Sequence, residues 1–537
     1  MQQFARQIMI AYHIHNALIV DGGGGEPYNG DLLTRGDAIE AILPPSSPLK
    51  EGYTPLDADS RLLCPGFIDM HSHSDLQVLR SSSMPEKIGQ GITTEVVGNC
   101  GIGVFPANRG SRFLQELSSD VLGSYPEAGW PSFSDYRQAW EKQGSGTNMA
   151  FLQAHSTLRR YSMTGSVNRP AHEMEIERMC SYLGKSLEEG CIGMSSGLYY
   201  APCIFAEEKE LLMLLKVLAS FRALFSVHMR CEGSDIIASL KEVLSLAERS
   251  GVRLQISHLK IIGKKNQHLV DQVLSLIEQS RKQGLDVQFD QYPYTYGSTS
   301  LFSFLPPSFL HLPRKELQLL LGDVEARKTI QREMENPQGW DSLADLCGWD
   351  QVRILRLESN SNYERMSITE IAEKRNSDPW NTFFDLLQAE KGIALMTDVT
   401  EREETLQKIL CHPLMCFGTD ALYTGSLAHP RSYQAVVHLL YEYGKRNQVL
   451  PVESLVARMS GRPAKRLGLS DRGKLEKGYK ADLVLLDWER LKDNSDPAHP
   501  DDPSEGISLV MVNGQIAYKD GIGTGSRSGR IILTRSG

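Results

Sequence analysis

Leu62-Leu63-Cys64-Pro65-Gly66-Phe67-Ile68-Asp69-Met70-His71-Ser72-His73 is an apolar run that ends in two imidazoles. Apolar residues in such a run read as a buried strand, and a strand places positions i and i+2 on one face. His71 and His73 therefore aim two nitrogen donors into the same space, which is half of a metal site. Spacing alone does not make a ligand pair. His13-Ile14-His15 repeats it near the N-terminus without ligand-type company. The reading depends on partners supplied by other strand ends.

Seven more β-like runs follow in the middle of the chain. With the first, they end near His71, Cys100, His155, Ser195, His228, His258, Asp290 and Asp420. Stretches with apolar residues at three- and four-residue spacing, such as 207–221 and 234–249, lie between them and read as helices. Eight alternating units predict an α/β fold, a (β/α)8 TIM-like barrel, in which catalytic groups gather at the C-terminal strand ends. Polar or ligand-type residues close nearly every run, as that architecture requires of an active site.

Both chain ends read differently, as short strands broken by turns. Residues 1–63 and 471–537 are expected to form one small β-sandwich domain around a catalytic barrel at 64–470. Between about 299 and 408 the βα rhythm breaks. An insertion of that length over a barrel mouth reads as a lid-like subdomain.

Bulk properties narrow the function class. The chain has 537 residues, 41% of them hydrophobic and 23% charged, with a formal net charge of −9. Those are values of an ordinary globular protein, and the negative balance disfavours nucleic acid or an anionic membrane as partner. No apolar run approaches membrane-spanning length, and residues 1–20 lack a signal-peptide pattern. Nine irregularly spaced cysteines do not suggest a disulfide framework, so a cytoplasmic location is expected. Oligomeric state is not legible.

Each strand-end residue has an ordinary reading. A free cysteine such as Cys100 is usually a small buried apolar group. A histidine such as His228 or His258 usually satisfies a core hydrogen bond, and an aspartate such as Asp420 usually caps a helix. Their conjunction at successive ends of one barrel points instead to a metal centre, where thiolate and imidazole favour zinc.

Over essentially its whole length the chain resembles the N-acyl-D-amino-acid deacylases (D-aminoacylases) of the amidohydrolase superfamily. The resemblance is carried by the Pro65-Gly66-Phe67-Ile68-Asp69-x-His71-x-His73 opening, Glu95 to Gly101, His228-Met229-Arg230, Ser257-His258-Leu259-Lys260, Tyr292-Pro293-Tyr294, Asp420 and His429-Pro430-Arg431. It implies one tightly bound zinc on Cys100, His228 and His258. It also implies a second, weaker divalent position on His71 and His73, which share Cys100. Asp420 is then the acid–base group for attack by metal-activated water. Lys260, Tyr292 and Arg431, with Tyr200 and Ser298 nearby, are the implied holders of a small N-acylated amino acid by its carboxylate. For Lys260 and Arg431, a structural ion pair is the competing reading. His155 is expected to pack or to support the site without ligating.

The chain departs from the family pattern at Cys203, at Gly418-Thr419-Asp420-Ala421 and after Arg431, all on the substrate side. A cyclic-amide hydrolase of the dihydropyrimidinase or hydantoinase type is the nearest alternative. Such enzymes normally carry a lysine on the fourth strand, where this chain has Ser195-Ser196. A non-catalytic protein on the same barrel is a further alternative, but such proteins generally lose the ligands kept here.

Overall fold

A computed structural model of the chain describes residues 10–108, 119–123, 129–310, 312–424, 428–495 and 499–533. The first nine residues of the expected N-terminal segment lie outside them. The middle of the chain forms eight parallel strands: β1 (Phe67–Asp69), β2 (Ile92–Val97), β3 (Asn148–Ala154), β4 (Gly193–Gly197), β5 (Leu224–His228), β6 (Arg253–Ile256), β7 (Val287–Gln291) and β8 (Met415–Phe417). They pair in sequence order from β1 to β7, and β7 then pairs with β8. Backbone bonds from Met70 N to Phe417 O (3.0 Å) and from Asp420 N to His71 O (2.7 Å) join the two ends of the sheet. These bonds nearly close the barrel, and they bring His71 and Asp420, distant in sequence, to adjacent strand ends.

The strands are apolar because both faces are covered. In β5 every residue is buried, and Phe225 stands in register between Met194 of β4 and Leu254 of β6. The helix that follows, Ile236–Ser250, buries Leu240, Val243, Leu244 and Ala247 along one stripe, as its apolar spacing predicts. It stops at Gly251, whose φ of 74° supplies the left-handed cap that other residues adopt at a cost.

The two ends of the chain build one mostly antiparallel sheet of nine strands. Leu62–Pro65 pairs with Leu483–Leu486, so the strand leading into the barrel is clamped by the C-terminal segment. Leu63, Leu483, Leu485 and Met511 pack in its core. Further on, Ile531–Ile532 runs back along Met149–Ala150 of β3.

The inserted segment carries its own three-stranded sheet (Tyr296–Ser300, Arg353–Leu357, Ala394–Val399) and a separate apolar core that includes Phe302, Phe304, Phe383 and Met396. Its edges lie close to the barrel elements that flank it. The first strand begins at Tyr296, just before 299. The helix Glu403–Cys411 sends Leu406, Ile409 and Leu410 into the barrel core, so it belongs to the barrel.

Candidate active site

Ten of the eleven residues singled out from the sequence line one cavity of about 60 Å³ at the C-terminal ends of the strands: His73, Cys100, Tyr200, His228, His258, Lys260, Tyr292, Ser298, Asp420 and Arg431. The eleventh, His71, is fully buried against the same group. Several of these side chains are aimed by unusual backbone. Cys100 (φ 53°), His258 (φ 31°) and Asp420 (φ 51°) all sit in the left-handed region. That conformation is costly for residues with a Cβ, and where it persists it concentrates at functional sites.

His71, Cys100 and His258 hold donor atoms within 4.8 Å of one another, close enough for one zinc ion, whereas His228 groups with Glu232 and His258. Cys100 Sγ lies 3.3 Å from His258 Nε2 and 3.9 Å from His228 Nδ1. Tetrahedral zinc with bonds of about 2.3 Å to sulfur and about 2.0 Å to nitrogen separates such donors by about 3.5 Å. Cys100 Sγ also lies 3.3 Å from His71 Nε2, so one thiol reaches both candidate positions. His71, His73 and Asp420 form a second cluster with mutually close donor atoms.

Carboxylates lie behind the outward nitrogens of three of these rings, and at His71 one makes a hydrogen bond. His71 Nδ1 meets Asp290 Oδ1 at 3.0 Å, leaving Nε2 to face Cys100. Glu232 lies close to two rings, with Oε1 3.2 Å from His258 Nδ1 and Oε2 3.5 Å from His228 Nε2, while the hydrogen bond at His258 Nδ1 comes from Lys260 Nζ at 2.9 Å. A carboxylate behind a ligating imidazole fixes ring orientation and raises its basicity. No such partner faces His73, whose Nδ1 is buried without a hydrogen bond among the described residues.

Asp420 stands between the two clusters and the cations. Its Oδ1 is 3.2 Å from His73 Nε2 and 3.4 Å from His71 Nε2, while Oδ2 pairs with Arg431 Nη1 at 2.9 Å. Burial would raise its pKa, but Arg431 and the imidazoles outweigh burial and hold the carboxyl well below its usual range. The Arg431 guanidinium also lies over the Tyr292 ring, 4.8 Å from the centroid. Lys260 Nζ is 2.7 Å from Glu232 Oε2 and 2.9 Å from His258 Nδ1. Both cations thus have ion-pair partners and also face the cavity. Ser298 Oγ and Arg431 Nε are buried without hydrogen-bond partners among the described residues. Unpaired buried donors beside a cavity suit a bound polar ligand.

His155 starts a helix rather than closing β3, and both ring nitrogens are occupied inside the protein. Nδ1 meets Ser196 Oγ at 2.9 Å and Nε2 meets Glu210 Oε1 at 2.8 Å. Burial opposes the charged ring, but Cys203 and Glu210 push its pKa up to about 9. It sits outside the cavity.

Sequence reasoning missed Glu232 and the orienting role of Asp290. Glu232 lies in the loop after β5, where no local pattern marks it as inward-facing. A buried lysine, Lys87, was missed too. It bonds Asp69 Oδ2 at 2.6 Å and Thr419 Oγ1 at 3.0 Å, joining β1 to the turn that carries Asp420.

Comparison with known proteins agrees with this geometry. The amidohydrolase family model matches residues 56–317 and 369–518. A D-aminoacylase of Alcaligenes xylosoxydans xylosoxydans is 31% identical over 514 residues, covering 96% of each chain. An N-acyl-D-glutamate deacylase of the same organism is 31% identical over 521 residues, covering 97% of this chain and 96% of its own. Among solved structures, an N-acyl-D-glutamate deacylase from Bordetella bronchiseptica, complexed with zinc and a phosphonate mimic of the tetrahedral intermediate, superposes with a TM-score of 0.83. It is 28% identical over 97% of this chain and 99% of that one. A D-aminoacylase with a binuclear metal centre, activated by one metal and attenuated by the second, gives 0.82 at 28% identity over the same shares. A D-hydantoinase, 17% identical with a TM-score of 0.58 over 98% of this chain and all of the other, shares the fold alone. Aligned end to end with such relatives, and matched by the family model over most of its length, the chain belongs to the amidohydrolase family, in its N-acyl-D-amino-acid deacylase (D-aminoacylase) branch.

Proposed function

We propose that this chain hydrolyses the amide bond of N-acyl-D-amino acids, releasing a carboxylate and a free D-amino acid, with zinc as cofactor. In this reading Cys100, His228 and His258 hold one zinc tightly, and His71 and His73 share Cys100 in a weaker second position. Zinc held there supplies Lewis acidity, polarising the scissile carbonyl and making water a better acid. Asp420 takes a proton from the water that adds to the carbonyl carbon. It returns that proton to nitrogen as the C–N bond breaks, so one carboxylate serves as base and then as acid. Lys260, Arg431 and Tyr292, with Tyr200 and Ser298, hold the substrate, the cations facing its α-carboxylate. The observation that carries the reading is the convergence, in one small cavity, of a zinc-type donor set, an ionised aspartate and two cations.

Pairs of N-acetyl-D- and N-acetyl-L-amino acids, incubated with the zinc-loaded protein, test the assignment. Free D-amino acid is the expected product. Hydrolysis of cyclic amides with none of the linear ones would transfer the assignment to the hydantoinase type.

Lys260 separates carboxylate recognition from a purely structural ion pair. For Lys260→Ala we expect kcat/KM to fall by about 10²-fold on an N-acyl-D-amino acid, because a buried charge partner of the substrate is removed. On the corresponding amino-acid amide, which has no carboxylate, the loss is expected to be severalfold only, reflecting the unpaired Glu232. Equal losses on both substrates would leave Lys260 a structural partner of Glu232.

A further inference from the structure

Beside the 60 Å³ cavity lies a second one of about 550 Å³, and the two share Cys100, Ile102, Val121, Tyr200 and Thr299. Tyr200 Oη and Thr299 Oγ1, 3.2 Å apart, stand where they meet. The larger cavity lies over the segments that follow β2, β3 and β4: Gly101 to Gly103 after β2, Ser156 and Arg160 on the helix after β3, and Ala201 and Cys203 after β4. Its far wall is the inserted subdomain, with Phe302, Leu310, Leu312, Pro313 and Leu317. The wall also holds polar groups: Asp120 Oδ2 takes bonds from Ser300 Oγ (2.5 Å) and Arg314 Nη2 (3.2 Å), while Asp120 Oδ1 and Asn168 Oδ1 are buried without hydrogen-bond partners among the described residues, and Arg160 and Glu316 line it too. The larger share of its lining surface is nonetheless apolar, supplied by Ile102, Val121, Phe302, Leu310, Leu312 and Leu317.

The position of this cavity matters as much as its size. The candidate carboxylate-binding residues Lys260, Tyr292 and Arg431 follow β6, β7 and β8, while the large cavity lies over β2 to β4. In an eight-stranded barrel those two arcs face each other across the mouth. An N-acyl amino acid has its carboxylate at one end and its acyl chain at the other, with the scissile carbonyl between them. A substrate anchored by its carboxylate on the β6–β8 side therefore directs its acyl chain toward the large cavity. At about 30 Å³ for each water-sized group, that cavity has room for on the order of fifteen non-hydrogen atoms. An acetyl methyl would leave nearly all of it empty.

We infer that the preferred substrates carry an extended apolar acyl group, of about six to twelve carbons, bound between the β2–β4 loops and the inserted subdomain. This rests on the proposed deacylase reaction and adds its substrate class.

The test uses zinc-loaded full-length protein and one D-amino acid acylated with acetyl, butanoyl, hexanoyl, octanoyl and decanoyl groups. Each buried methylene is expected to raise kcat/KM about three- to fourfold at first, reaching about 10²-fold between acetyl and octanoyl. Leu312→Trp, which fills part of the cavity from its half-buried wall, should lower the octanoyl-to-acetyl ratio at least about tenfold. A flat or falling series, with the acetyl substrate still cleaved, overturns the inference. So does an unchanged ratio in a folded Leu312→Trp variant. Calorimetric binding of octanoate against acetate reads the cavity without turnover. Tighter octanoate binding with no acyl-D-amino acid cleaved would keep the apolar chain site and refute the deacylase reading on which the substrate class rests, and equal binding overturns the site itself.

Discussion

Replacing Asp420 with asparagine is expected to leave zinc in place and to lower kcat by about 10³-fold or more, the range for a lost acid–base group. Asparagine is the informative choice because of the backbone. Asp420 has a φ of 51°, and asparagine is among the few residues that enter the left-handed region readily. The substitution also preserves shape, keeping an oxygen that can face His73 or Arg431. What it removes is basicity, since an amide takes no proton from water and returns none to a departing nitrogen. Losing the ion pair with Arg431 leaves a buried guanidinium less well compensated, so some loss of stability accompanies the kinetic effect. Zinc content per chain, thermal unfolding and steady-state kinetics separate these contributions. Retained zinc and fold with a collapsed kcat support the assignment. Near-normal turnover would remove Asp420 from the mechanism.

The parts of this site that were legible in the sequence share one physical cause. Parallel barrel strands are buried on both faces, so they read as apolar runs, and a histidine, cysteine or aspartate at the end of such a run stands out. His71, Cys100, His228, His258 and Asp420, which the fold brings together, were candidates for that reason, and the barrel was counted from the same runs. Glu232 escaped because it lies in the loop beyond β5, where no periodicity marks a residue as inward-facing. Only the fold shows that it is buried between two imidazoles and Lys260. Asp290 was noticed as a strand end, but its partner His71 is 219 residues away in sequence, and no local pattern links them. The C-terminal edge of the insertion is a different case. The helix Glu403–Cys411 has the same local appearance as its neighbours in the insertion, and only its packing on the barrel core assigns it.

Cys100 carries the other large expected effect, because its sulfur serves both candidate metal positions. Three imidazole nitrogens lie 3.3 to 3.9 Å from Sγ. Removing a single histidine leaves the thiol to hold the ion with the rings that remain. Removing the thiol takes the shared soft donor from both sets. For Cys100→Ala we expect zinc affinity to fall on the order of 10³-fold, as a soft anionic donor is lost, and activity to fall with it. The backbone does not confound this test. At a φ of 53° alanine bears the same left-handed strain as cysteine, so the exchange removes the sulfur without a new conformational cost. Zinc raises the melting temperature of a protein that binds it only when folded, and this gives a readout independent of turnover. The wild-type protein stripped of metal should regain stability on zinc addition, and Cys100→Ala should show little change at the same concentration. Cys100→Ser, with a harder and poorer donor of similar size, should fall between them. A Cys100→Ala protein that keeps a full equivalent of zinc, with an undiminished thermal shift, would place the metal on the imidazoles and carboxylates alone and leave the cysteine a packing residue.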